Sequence, residues 1–193
     1  MSESILVVRR EYLAPYLTED FGLITEGVEE IVRVIEAHHE FRPRPEMETD
    51  PAYKQIIPYV LVTRGAEAFV MQRLKKGGEQ RLHGLLSLGV GGHIDPVDDT
   101  AGHGALMAGL RREVDEEVAL ERAVSLTPLG VINNDRDEVG RVHLGFLFRL
   151  EAEGAVTVRE TEKLSGSFMP IAALPALRDK MEGWSQIALE VLA

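Results

Sequence analysis

Four carboxylates crowd one ten-residue stretch, "RREVDEEVAL", residues 111–120. Read as a helix, residues three and four apart share a face. Glu113, Glu116 and Glu117 have that spacing, while Asp115 points away into solvent. Leu106, Leu110, Val114 and Val118 step by four along a neighbouring stripe that should face the core. The glutamates therefore lie beside the buried stripe. Like charges at this spacing repel, and near a helix C-terminus the dipole disfavours anions. Two readings follow. One is a solvated acidic face partly neutralised by Arg111 and Arg112. The other is a site for a hard divalent cation, Mg2+ or Mn2+, which takes carboxylate oxygens and would relieve the repulsion.

The elements around this stretch must position it. "SILVVRR" (4–10) reads as a strand, and Val28, Ile31, Val32 and Ile35 mark a helix within 26–40. "FRPRPEMETDP" (41–51) carries three prolines and reads as an extended connector, so residues 1–50 form an N-terminal extension and 51–193 the main domain. That domain opens with two strand-like runs joined by "RGAE", a hairpin, in which Pro58 suggests an edge or bulge. The glycine-punctuated "GLLSLGVGGHID" (84–95) follows, then a helix over about 100–118. "SLTPLGVIN" and "VHLGFLFRLEA" flank the polar loop "NDRDEVGR" as a second hairpin. "EKLSGSFMPIAAL" reads as a strand entering a short helix, and "EGWSQIALEVLA" as a terminal helix. Hairpins mixed with helices imply an α/β (α+β) fold with a mixed sheet.

Composition narrows the partners. The 193 residues suit one domain with an added subdomain. Net charge is −11, from 21 basic and 32 acidic residues, which disfavours nucleic acid. A small phosphorylated ligand remains compatible, because a bound cation reverses the local sign. With no cysteine, disulfides, thiolate metal sites and a cysteine nucleophile are excluded. No apolar run reaches bilayer length and no signal peptide is read, so the expectation is a cytoplasmic protein without a membrane partner. A homodimer stays open.

Glycine turn, helix, then Arg-Glu-apolar-x-Glu-Glu resembles a Nudix box, G-x5-E-x7-R-E-U-x-E-E-x-G-U with U apolar. Arg112, Glu113, Val114, Glu116, Glu117 and Leu120 match its second half, and Gly91 and Gly92 its glycine entry. The resemblance covers roughly residues 52–180. Two positions depart from it. Ala119 stands where the family has glycine. Counting forward from Gly92 puts the family's first glutamate on Asp98, whereas counting back from Arg112 puts it on Gly104, a difference of six residues. Asp98, or alternatively Asp99, would replace that glutamate.

The resemblance implies an α/β/α sandwich and hydrolysis of a diphosphate linked to another group. It implies Glu116 and Glu117 as Mg2+ ligands with the Gly91 carbonyl, and Glu113 as ligand of a second ion or orienter of water. A distal acid would come from Glu138, Glu160 or Glu162. Arg73, Arg81 and His83, in a basic patch of an acidic chain, are candidate substrate-phosphate ligands. The leading reading is a metal-dependent hydrolase of a nucleoside di- or triphosphate or related diphosphate. The alternative keeps the fold as a catalytically weak nucleotide-binding or regulatory module.

Overall fold

The computed structural model describes residues 3–74, 84–100, 104–159, 161–162 and 164–192, excluding the side chains of Arg73 and Thr100. The chain divides into two units. The first comprises Met1–Pro58, Gly91–Arg111 and Leu129–Leu147; the second comprises Tyr59–Val90, Arg112–Pro128 and Phe148–Ala193.

In the first unit, β1 (Ser4–Arg9) is buried on both faces through Ile5, Leu6, Val7 and Val8. It lies between two antiparallel partners, β3 (Glu40–Pro43) and the start of β4 (Tyr53–Arg64), with Leu6 opposite Phe41 and Val8 opposite Lys54. A short helix α1 (Arg10–Leu13), strand β2 (Phe21–Ile24) and helix α2 (Val28–His38) intervene. α2 buries Ile31 and Ile35, the face its spacing marks. The stretch read as a connector is instead β3 followed by helix α3 (Arg44–Met47). Its prolines punctuate rather than unfold: Pro43 closes the strand, and Pro45 sits in the first turn of α3, where a missing N–H costs nothing. Met47 packs with Ile5, Val7 and Tyr53.

In the second unit, β5 (Glu67–Arg73) lies between β10 (Leu164–Pro170) and the end of β4. The β4–β5 turn uses Gly65 at φ 58°, in the left-handed region. Strands β6 (Leu86–Ser87) and β7 (Gly89–Val90) pair with β5 and β4. Gly89 is required there: a Cβ would come within 2.2 Å of the Tyr59 ring. The Tyr59 hydroxyl meets Ser185 and Glu182, each at 2.8 Å, and accepts from the Gly89 N–H. Trp184 packs edge-on against Tyr59. A 3-10 segment (Ile171–Lys180), helix α6 (Gly183–Ala188) and a 3-10 turn (Leu189–Val191) follow.

Helix α4 (Ala105–Glu117) and strands β4, β8 (Val118–Asn134) and β9 (His143–Val158) run from one unit into the other. Strand neighbours follow the order β10-β5-β4-β9-β8-β2. The class is thus α/β (α+β), an open mixed sheet with helices. The strand registers recorded among the described residues are antiparallel, and one bridge, Leu86 with Met181, is parallel. Pro58 is neither on an edge strand nor out of place. It falls between the β4 residues paired with β1 (Tyr53–Gln55) and those paired with β7 (Val60 and Leu61). The loop "NDRDEVGR" holds helix α5 (Glu138–Val142), capped by Asp137, whose carboxylate accepts from the Gly140 N–H at 2.6 Å. Among the described residues, no helix is long and apolar enough to cross a membrane.

Candidate active site

The last turns of α4 carry the three glutamates. Leu110 and Val114 are buried and Asp115 is exposed, as the helical spacing requires; Leu106 is half-buried, and Val118 is buried as the first residue of β8. The Glu113 side chain is only 13% exposed and that of Glu116 59%. One nitrogen, Arg112 Nη1, donates to Glu113 Oε1 at 2.8 Å and lies 3.4 Å from the Glu116 carboxylate. Two carboxylates of the cluster thus face a common positive charge.

The anionic helix end is compensated from elsewhere in the second unit. Arg159, just past β9, donates its backbone N–H to the Glu117 carbonyl at 2.8 Å and its Nε to the Val118 carbonyl at 3.3 Å. A cation on the last carbonyls is what the helix dipole favours. The departure at Ala119 has a direct cause as well. β8 begins at Val118, so Ala119 has strand geometry and no left-handed residue is needed there.

In the first unit, Gly91 and Gly92 open the loop after β7. The Leu6 N–H ties this loop to β1 through the Ile94 carbonyl at 2.9 Å. A Cβ at Gly109 would sit 3.0 Å from Ile94 and 3.2 Å from Asp98 Oδ2, so glycine lets α4 lie close to the loop. Asp98 is buried and closes a turn: its Oδ2 accepts from the Asp95 N–H at 2.8 Å, and its own N–H donates to the Asp95 carbonyl at 2.9 Å. Asp99 lies 3.5 Å from His39 Nε2. Gly104, at φ 74°, precedes α4 and supplies no carboxylate.

The remaining candidates separate. Arg73 ends β5 opposite Leu164, while Arg81, His83 and Glu160 lie outside the described residues. Glu138 and Glu162 are both exposed. Two arginines of residues 41–51 are engaged in ion pairs, Arg42 with Glu40, and Arg44 with Glu48 and Glu3.

Polar residues that pattern reading passed over sit inside β4. Lys54 is fully buried, and its ammonium reaches Asn133 Oδ1 (3.0 Å), Asp135 Oδ1 (2.9 Å), the Gly140 carbonyl (2.9 Å) and the His143 carbonyl (3.1 Å). Burial holds its pKa below the ordinary lysine value despite Asp135. Buried Gln55 meets His93 Nε2 at 2.7 Å. Burial, with Arg44 and His143 nearby, lowers the His93 pKa to about 3, and burial also lowers that of His143. A Lys-Gln pair inside an otherwise apolar strand was the available signal.

Glu113, Glu116 and Glu117 offer the carboxylate oxygens that suit a hard divalent ion. Comparison with known proteins identifies the family. The NUDIX domain profile matches residues 53–190. Protein YmaB of Bacillus subtilis (strain 168) is 38% identical, covering 100% of this chain and 98% of its own. The crystal structure of Tm1382, itself only provisionally assigned as a Nudix hydrolase, superposes with a TM-score of 0.86 at 35% identity over 98% of both chains. The NUDIX domain of Shewanella oneidensis NrtR, solved with ADP ribose, shares the fold, with a TM-score of 0.54 at 17% identity over 71% of this chain and 84% of its own. The class is a hydrolase of phosphoric anhydride bonds. Within it, this chain belongs to the Nudix family.

Proposed function

We propose that the protein is a metal-dependent hydrolase of a nucleoside di- or triphosphate, or of another diphosphate linked to a second moiety, with residues 51–193 as its catalytic domain. The observation that carries this reading is the cluster on the last turns of α4, where Arg112 holds Glu113 at 2.8 Å beside Glu116. Glu116 and Glu117 would hold Mg2+ or Mn2+. Such an ion neutralises pyrophosphate oxygens and acidifies bound water. Glu113 either orients the attacking water or serves a second ion. In the first role its carboxylate takes the water proton as the oxygen bonds to phosphorus, and the anhydride P–O bond breaks with its electron pair leaving on the departing phosphate. Arg112 positions Glu113 and does not touch substrate. Arg73, Arg81 and His83 would bind the substrate phosphates. The partner is a small phosphorylated molecule in the cytoplasm, not nucleic acid or membrane.

One observation favours the second reading, a nucleotide-binding module with weak catalysis. At the first glutamate of the box this chain offers Asp98, which closes a turn on Asp95, or Gly104. A screen of Mg2+-dependent phosphate and pyrophosphate release over nucleoside di- and triphosphates, dinucleoside polyphosphates and ADP-ribose separates the two. Turnover that requires the metal supports the hydrolase. Nucleotide binding that is independent of metal, with no turnover of any diphosphate, supports the module.

A further inference from the structure

We infer that Glu48, His93 and His143 form a second metal site, for a divalent transition ion of the Zn2+ class. Each residue offers one ligand atom, and the three atoms lie within 4.8 Å of one another. All three belong to the first unit, and none is a glutamate of the Nudix box. Two imidazoles and a carboxylate are the donor set of a borderline ion rather than of Mg2+, which prefers oxygen and water.

The hydrogen bonds around the two rings set their tautomers for this role. Gln55 Nε2 donates to the Met47 carbonyl at 3.1 Å, which leaves its Oε1 to accept from His93 Nε2 at 2.7 Å. The proton of His93 is thereby on Nε2, and Nδ1 is the basic nitrogen. His143 Nδ1 donates to the Val139 carbonyl at 2.7 Å, which makes Nε2 its basic nitrogen. A ring N–H anchored on an amide or backbone carbonyl, with the opposite nitrogen facing the ion, is the usual support of a metal-bound histidine. The ring centroids stand 5.6 Å apart. Glu48 is oriented in turn by Arg44, whose Nε donates to its Oε1 at 3.0 Å.

Position favours the same reading. Glu48 follows α3, His93 lies in the glycine loop, and His143 begins β9, where Lys54 grips its carbonyl at 3.1 Å. A single ion would cross-link these three segments of the first unit. Four-coordinate bonds of about 2.1 Å space the ligand atoms roughly 3.4 Å apart, so a modest side-chain closure completes the site.

The test is a Zn2+ titration of the full, chelator-stripped chain in which Glu113, Glu116 and Glu117 are all changed to Gln, so that the box cannot hold the ion. Calorimetry and thermal melting should show one equivalent of Zn2+ bound and a raised Tm. Adding Glu48→Gln, at an exposed position that leaves the core intact, should weaken Zn2+ about ten-fold or more, and His93→Gln should do so as well. Co2+ in place of Zn2+ should give a visible band that both changes remove. No Zn2+ binding in the box variant, or binding that both further changes leave untouched, would overturn the site.

Discussion

Arg112 and Glu113 are chain neighbours on α4, and their side chains still meet, Nη1 to Oε1 at 2.8 Å, with both largely buried. Adjacent residues on a helix normally diverge by about 100°. The guanidinium bends back over the acidic face, where it meets both Glu113 and Glu116. Arg112→Ala should therefore lower the stability of the metal-free protein by about 1 kcal/mol. If Mg2+ binds as proposed, the change should also enlarge the Tm rise it produces, since the ion then relieves the repulsion alone. Melting curves with and without Mg2+ read both effects, and an unchanged Mg2+ increment would remove this role from Arg112.

Lys54 should be the costliest single charge to delete. Lys54→Met leaves Asp135 and the carbonyls of Gly140 and His143 without the ammonium that holds them. Breaking a buried pair from one side costs roughly 3–5 kcal/mol. Urea unfolding measures the loss, and a change below about 1 kcal/mol would show the network to be dispensable.

The same network sets an acid limit. Burial alone would raise the Asp135 carboxyl, but hydrogen bonds from Arg10, Lys54 and Asn133 outweigh it and lower its pKa from 3.8 to about 2. A folded value below the unfolded one gives stability that is complete above about pH 4 and is lost as pH falls toward 2, on the order of 2 kcal/mol in all. Unfolding free energies measured from pH 6 to pH 2.5 should fall less steeply in Asp135→Asn than in the wild type. Parallel curves would contradict the assignment.

Much of this was legible before any coordinates. Helical spacing separated Asp115 from the three glutamates, and it marked Leu110 and Val114 as core. The hairpin β4–β5, the helix α2 and the terminal helix follow from local periodicity. What escaped was non-local. Residues 41–47 carry prolines at positions that a strand end and a helix start both tolerate, and only pairing with β1 reveals them as structure. The first half of β8, from Glu121 to Pro128, is exposed and lacks the alternation that identifies a half-buried strand. Pro58 looked like an edge because sequence does not say where ladder partners change over. The cation at the end of α4 arrives from Arg159 in another segment, and the partners of Lys54 lie some eighty residues downstream in β8, α5 and β9.

If the box glutamates carry metal-dependent hydrolysis, Glu117→Gln should abolish most of it. The change keeps the size of the side chain but removes the negative charge that would hold Mg2+. On the best substrate from the screen, at saturating Mg2+ and with the melting profile unchanged, kcat should fall about a thousand-fold, the loss of several kcal/mol of transition-state stabilisation. A kcat within a few-fold of the wild type would move the chemistry away from α4.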